Sequence, residues 1–318
     1  MNFVATLNEV AAKNLHVLEE HIRQSISEDP FICEACEPLF KGGKRLRPML
    51  FLLCANSKSD FPPEKSMPLA TALELIHTAS LVHDDIIDAS KKRRGVETAN
   101  SKYGAQIAVL VGDYIFAKAF QLVAENDYGA EVSSTLSKLV KNLCVGEIMQ
   151  DRSLYEIPTL AEYYTRINLK TAIFLSTCCR LGAIVSDMER REVENLTAYG
   201  TSIGLAFQII DDLLDFFGDE KITGKPHGGD LKSGVITLPV LRALEVSEQA
   251  EQLRKIVTTG QDVEAAIKII QATDAVDYCR TRAEAHIESA RVNLPAALKI
   301  SVALALEQIA DFIVDRTR

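Results

Sequence analysis

The sequence predicts an all-α chain, and three observations point there. Hydrophobic residues fill 47% of its 318 positions and charged residues 25%, the balance of a folded globule and not of a disordered or collagen-like chain. Helix breakers are few, with 16 glycines and 10 prolines, so long segments can stay helical. Apolar residues recur at helical spacing along most of the chain, and no run alternates like a half-buried strand.

Taken in order, the periodicity predicts helices over 4–25, 67–89, 102–125, 131–150, 160–185, 189–218 and 296–316. Thr159 with Glu162, and Ser186 with Glu189, have capping-box spacing, so a helix is expected to start behind each pair. Pro48 is expected to break or restart the helix after 41–47. Loops are expected at 57–66, 90–100, 151–158 and 219–234, the last with Gly224, Gly228, Gly229 and Gly234. No linker or repeat interrupts this series, so the expected architecture is a single all-α domain over residues 1–318. Its long helices would surround a central cavity, since bundles build their sites from facing helices.

A net charge of −9 argues against a nucleic-acid partner, which needs a basic face. Seven scattered cysteines, an odd number, fit reduced thiols in a cytoplasmic protein better than a disulfide framework. Cys33 and Cys36 form one CxxC with no second pair to complete a zinc site, and they read as helix residues or an incidental redox pair. The N-terminus lacks the basic and apolar regions of a signal peptide. No run of about 18 uninterrupted apolar residues is present, the nearest being broken by Asp113 and Arg180, so no transmembrane segment is expected.

Two clusters carry the chemistry. Asp84-Asp85-Ile86-Ile87-Asp88 and Asp211-Asp212-Leu213-Leu214-Asp215 both read DDxxD inside apolar helical runs. At helical spacing Asp84 and Asp88 lie about 40° apart on one face, as do Asp211 and Asp215. A solvated acidic face would account for one such cluster. Two copies flanked by apolar residues favour a divalent cation, because crowded carboxylates repel and hard oxygen ligands suit Mg²⁺ with substrate phosphates. Two such helices facing across a cavity would hold Mg²⁺ ions and a diphosphate. His77 and Ser80 share the stripe of Asp84 and Asp88, and Gln208 shares the face of Asp211. His77 taken alone reads as a structural histidine; on this stripe a ligand role is as good a reading.

Two basic runs answer the acidic ones. Lys41-Gly42-Gly43-Lys44-Arg45-Leu46-Arg47-Pro48 joins four cations to two glycines that let backbone approach an anion. Lys91-Lys92-Arg93-Arg94-Gly95 directly follows the first DDxxD. Arg grips phosphate with a two-pronged fork and Lys adds a point charge. In an acidic chain these loops point to an anionic ligand, with Lys170, Thr171 and Lys225 as further diphosphate contacts.

The segments GGKRLRP at 42–48, HTASLVHDDIID at 77–88, RRG at 93–95, KTA at 170–172 and FQIIDDLLD at 207–215 together resemble trans-isoprenyl diphosphate synthases, most of all the long-chain, octaprenyl-like branch. The resemblance covers residues from about 40 to 240 and implies an all-α isoprenoid synthase fold, a homodimer, and prenyl transfer from an allylic diphosphate to isopentenyl diphosphate. It implies that Lys44, Arg47, His77 and Arg94 bind isopentenyl diphosphate. Asp84, Asp88, Asp211 and Asp215 would hold Mg²⁺, about three ions per site. Arg93, Lys170, Thr171, Gln208 and Lys225 would hold the allylic diphosphate. The product would pass to a membrane.

The chain departs from the family at Val235, where a lysine often stands, and Lys232 is the nearest substitute. In the family the residues four and five before the first motif line the floor of the product tunnel. Here they are Ser80 and Ala79, both small, which implies a long product, about C40 within a range of about C30 to C50. A short-chain synthase making a farnesyl or geranylgeranyl product is the alternative within the family. The rivals are a metal-dependent phosphohydrolase, suggested by His83-Asp84, a non-catalytic subunit of a heteromeric synthase, and a terpene cyclase. None of the three explains both aspartate motifs together with GGKRLRP.

Overall fold

The computed structural model describes residues 9–26, 29–40, 43–58, 61–93, 95–218 and 227–315. The chain separates into two compact units. One is built from residues up to Ser137 with Arg180–Glu189 and Ala297–Ala305; the other from Lys138–Cys179, Arg190–Ala296 and residues from Leu306 on.

The first unit opens with helices α1 (Glu9–Ile26), α2 (Pro30–Phe40) and α3 (Leu46–Ala55). The long α4 (Pro63–Ile87) follows, then strands β1 (Lys92–Arg93) and β2 (Val96–Glu97), α5 (Ala99–Tyr103) and α6 (Ala105–Glu125). Helix α4 buries Met67, Leu69, Leu73, Leu75, Ile76, Ala79 and Val82. From Ser66 to Ile76 it is buried all round, Thr71 and Glu74 included, and it packs on α6, α3 and α1. Proline starts it, with Pro63 in the first turn, where a missing N–H costs nothing.

Pro48 accompanies the expected restart of helix and does not break the one it lies in. It sits in the first turn of α3, whose leading amides need no intrahelical partner. The expected loop at 57–66 ends early, at Pro63. The expected loop at 90–100 contains a two-residue antiparallel hairpin, Lys92 opposite Glu97 and Arg93 opposite Val96, and the start of α5. Thr98 caps α5 by accepting from the Ser101 amide at 3.1 Å. A span this short has no room for an alternating pattern.

Helix α7 (Ala130–Arg152) comes next, then α8 (Leu160–Ile167), a π turn (Asn168–Ala172), α9 (Ile173–Val185) and α10 (Arg190–Phe217). The predicted helix over 160–185 is therefore present over its full length, with a π turn inside it. The capping box at its start forms: the Glu162 amide donates to Thr159 Oγ1 at 3.2 Å, and the Thr159 amide to Glu162 Oε2 at 2.7 Å. The one expected at Ser186 does not. The Ser186 amide bonds back to Gly182 O at 3.1 Å, its hydroxyl accepts from Ser57 Oγ at 3.2 Å, and the next helix begins at Arg190.

The second unit continues with α11 (Gly229–Lys232), α12 (Leu238–Val246), α13 (Ala250–Thr259), α14 (Val263–Gln271) and α15 (Ala275–Val292); α16 (Ile300–Asp315) is the last described helix. The expected loop at 219–234 therefore holds α11. Helices α12 to α15 lie outside the segments the periodicity predicts. Three of them have ten residues or fewer, so each offers little more than one stripe to detect. Their apolar faces build a core with Phe216, Leu231, Ile236, Val240, Leu253, Ile256 and Ile270. Helix α10 packs along α15 and on the π turn. Gly204 makes the second contact close, since a Cβ there would stand 2.5 Å from Ala172 Cα; Gly200 likewise lets α10 approach α9, where a Cβ would stand 2.6 Å from Ser176 Cα.

Two helical stretches, Ala105–Glu125 and Leu160–Val185, are long and apolar enough to cross a membrane by composition; 44% and 67% of their most apolar windows are buried within the protein. Asp113 and Arg180 interrupt them, so neither forms the unbroken apolar run that the sequence criterion requires. None of the seven cysteines is joined in a disulfide. Burial and the neighbouring Cys33 push the Cys36 thiol up to about 12, leaving it inert as a nucleophile.

Candidate active site

In the first unit, α4 carries the aspartate stripe to its C-terminal end. Asp84 is half-buried, and Asp88 is the exposed C-cap, its amide donating to Asp84 O at 2.8 Å. Ser80 donates to His77 O at 2.8 Å, which folds its hydroxyl back onto the helix. Ala79 is fully buried and, at helical spacing, points about 140° away from Asp84, so Ser80 is the small residue on the aspartate face.

The run after α2 divides its cations by backbone geometry. Gly43 has φ 96° and Arg45 φ 48°, so the chain turns sharply into α3. That turn sends Arg45 inward. Its Nε donates to Glu19 Oε1 at 2.6 Å, its Nη1 to Glu74 Oε1 at 2.7 Å, and its Nη2 to Phe40 O. Arg45 thus ties α1, α2 and α4 together as a buried, fully forked cation. Lys44 stays exposed, and Arg47 Nη1 lies 3.2 Å from His77 Nε2. Two residues expected at one substrate are therefore neighbours, one from α3 and one from α4.

Arg93 is turned toward the first motif, with Nε and Nη2 each 2.9 Å from Asp85 Oδ1. Asp85 is 2% exposed, and its Oδ2 is buried without a hydrogen-bond partner. The middle aspartate is thus the inward one, and it holds a residue expected to bind phosphate. Arg94, Lys41 and Gly42 lie outside the described residues.

In the second unit the π turn that follows α8 carries the predicted Lys170-Thr171 pair. Such turns shift the side-chain register by a residue and often mark functional positions. Thr171 Oγ1 donates to Gln208 Oε1 at 2.6 Å, and Gln208 Nε2 donates to Asp212 Oδ1 at 2.8 Å. The Tyr163 hydroxyl, from α8, completes the line by donating to Asp212 Oδ2 at 2.8 Å. Burial, with the negative charge of Asp230, pushes the Asp212 carboxyl up to about 8, against the opposing pull of the Gln208 and Tyr163 hydrogen bonds and of Arg166. Burial also raises the Tyr163 phenol well above its usual range. Lys170 pairs with Glu147 of α7 at 3.0 Å.

Asp211 is half-buried on the face of α10 next to this line. Asp215 also anchors α11, its two oxygens accepting from the Gly229 and Asp230 amides at 3.0 and 3.1 Å. Lys232, the expected substitute for the family lysine, is 3.9 Å from Glu264. Lys225 lies outside the described residues. Sequence reasoning did not single out Arg45, Tyr163, Glu147, or the distinct place of Asp85 and Asp212. The Gln208–Asp212 spacing, one helical turn, was the available signal for part of this.

Among the described residues no three histidine, cysteine or carboxylate side chains converge to hold an ion by themselves. Carboxylates presented singly or in pairs fit Mg²⁺, whose shell is completed by water and substrate phosphate oxygens.

A family model described as Polyprenyl synthetase matches residues 29–273. Heptaprenyl diphosphate synthase component 2 of Bacillus subtilis is 36% identical over 305 residues, covering 94% of this chain and 87% of that protein. A short chain isoprenyl diphosphate synthase of Methanothermobacter thermautotrophicus is 36% identical over 320 residues, covering 97% and 98%. The crystal structure of a decaprenyl diphosphate synthase from Rhodobacter capsulatus superposes with a TM-score of 0.89 at 33% identity, covering 98% of each chain.

Proposed function

The chain belongs to the polyprenyl synthetase family of trans-isoprenyl diphosphate synthases and is a prenyltransferase, and we propose that it extends farnesyl diphosphate with isopentenyl units to an all-trans diphosphate of about C40. The observation that carries the length is the stripe on α4. Ser80 stands on the face of Asp84 with its hydroxyl bonded back to His77 O, so no bulky side chain precedes the motif there. The relatives' names span short and long products, so this stripe, and not overall identity, supports the reading.

The residues take the following parts in this reading. Lys44, Arg47, His77 and Arg94 grip isopentenyl diphosphate, and Arg93, Lys170, Thr171, Gln208 and Lys225 grip the allylic diphosphate. Asp84, Asp88, Asp211 and Asp215 hold Mg²⁺, which when bound supplies the positive charge that stabilises the departing pyrophosphate. The allylic C–O bond breaks, the isopentenyl double bond forms the new C–C bond, and a proton is lost to the pyrophosphate. Arg93 and Lys170 are each already held by a carboxylate, so they stand pre-oriented for phosphate. The apolar side chains around the stripes exclude water that would quench the cation.

The family match runs through residues of both units, which supports one functional domain over 1–318. We read the protein as a cytoplasmic homodimer that hands its product to a membrane.

The test is a prenyl-transfer assay with labelled isopentenyl diphosphate, farnesyl diphosphate and Mg²⁺, the dephosphorylated products sized by chromatography. Wild type is expected to build a ladder ending near C40, and Ser80→Phe to stop several isoprene units earlier, because a ring blocks the path the serine leaves open. Wild-type growth that ends at about C20 or below, or an unchanged ladder in Ser80→Phe, overturns the length assignment. The name "component 2" carried by the Bacillus subtilis relative makes the chain assayed alone the informative arm. Phosphate release without growth would make the chain a hydrolase, and inactivity alone would point to a missing partner subunit.

A further inference from the structure

We propose that Tyr163 is a positioning residue for the allylic-diphosphate side of the site, acting through Asp212 and Gln208 on Thr171. Three hydrogen bonds carry it. Tyr163 gives its proton to Asp212 Oδ2 at 2.8 Å, Gln208 gives an amide proton to Asp212 Oδ1 at 2.8 Å, and Thr171 gives its proton to Gln208 Oε1 at 2.6 Å. Each bond fixes the next. With both Asp212 oxygens engaged, the carboxyl plane cannot rotate. The Gln208 amide presents nitrogen to Asp212 and oxygen to Thr171, and the Thr171 hydroxyl is held toward that oxygen.

The surroundings leave little slack. Tyr163 is fully buried, Asp212 is 2% exposed and Thr171 7%. The π turn under Thr171 is pressed against α10 at Gly204, where even a Cβ would clash with Ala172 Cα at 2.5 Å. Tyr163 sits one element before that turn, on α8, so its bond to α10 holds the helix from which the turn departs. A tyrosine kept only for its ring would not need the hydroxyl. Here the hydroxyl is the one tie in the line that comes from α8.

This inference rests on the reading that Thr171 and Gln208 contact the allylic diphosphate. The experiment is a double-mutant cycle of Tyr163→Phe and Thr171→Val on the full chain. KM for farnesyl diphosphate, KM for isopentenyl diphosphate and kcat are measured with thermal unfolding of each variant. Removing one bond from a buried line is expected to raise the allylic KM about tenfold, with the isopentenyl KM unchanged. The double variant is expected to be no worse than Thr171→Val alone, because both changes break the same line. Additive effects, or equal change in both KM values, overturn the inference. So does a Tyr163→Phe protein that loses thermal stability but keeps wild-type kinetics, which is what a purely structural tyrosine would give. If Thr171→Val itself leaves the allylic KM unchanged, the assignment of the substrate site fails instead. If Tyr163→Phe does not fold, Asp212→Asn in the same cycle tests the same line from its centre and is expected to couple to Thr171→Val in the same way.

Discussion

The two DDxxD motifs share a pattern but not a setting. In the first, the buried middle carboxylate of Asp85 meets the Arg93 guanidinium at 2.9 Å, a cation delivered by a hairpin outside the helix. In the second, Asp212 is buried as deeply, and its two oxygens are taken by the Tyr163 hydroxyl and the Gln208 amide. One motif answers a buried carboxylate with charge. The other answers it with neutral donors and a carboxyl pushed up to about 8. In both, the middle residue braces the site from behind while the flanking residues lie on the more exposed faces. The motif is thus two devices in one string, and only helical phase separates them.

The difference can be broken from either side. Arg93→Met removes the cation and leaves Asp85 buried and unpaired. Stability is expected to fall by about 3 kcal/mol, the low end for a severed buried pair because Arg93 is one-third exposed. Chemical denaturation measures this. The double variant Asp85→Asn/Arg93→Met should recover much of the stability while staying impaired in prenyl transfer. No recovery would mean that the loss comes from the hairpin and not from the stranded carboxylate.

The second motif should respond to pH instead. The folded Asp212 carboxyl holds its proton up to about 8, whereas the unfolded one ionises near 3.8. Its contribution to stability is therefore full below pH 3.8 and declines as pH rises through about 8. Asn at this position stays neutral, so Asp212→Asn should gain on wild type progressively as pH rises across that window. Thermal unfolding of both proteins in chelator at a series of pH values measures the difference, and a gap that does not grow with pH would contradict it.

Much of this was legible in the sequence because it rests on period and spacing. The aspartate stripe with His77 and Ser80, the long helices and the Thr159 capping box all follow from local pattern. Other features depend on geometry that composition does not encode. Arg45 turns inward because its backbone adopts φ 48°, while its neighbours Lys44 and Arg47 look alike as letters. The π turn at Asn168–Ala172 shifts the side-chain register inside a helix, and no residue type in NLKTA announces it. Tyr163 reads as any half-apolar helix residue until Asp212 is found opposite its hydroxyl. The Ser186 pair does not cap α10 because the chain turns at Asp187, with φ 50°, and the helix begins at Arg190, just past the pair.

The most direct test of this division measures prenyl-transfer kcat and thermal stability for Asp84→Asn, Asp211→Asn, Asp85→Ala and Asp212→Ala side by side. The flanking variants are expected to lose about a hundredfold to a thousandfold in kcat with unfolding close to wild type, because their carboxylates would hold the Mg²⁺ that answers the diphosphate. The middle variants are expected to lose stability first, as Arg93 or the Tyr163–Gln208 pair is left without its partner. Flanking variants that unfold while staying active, or middle variants that keep wild-type stability and lose only turnover, would contradict the account.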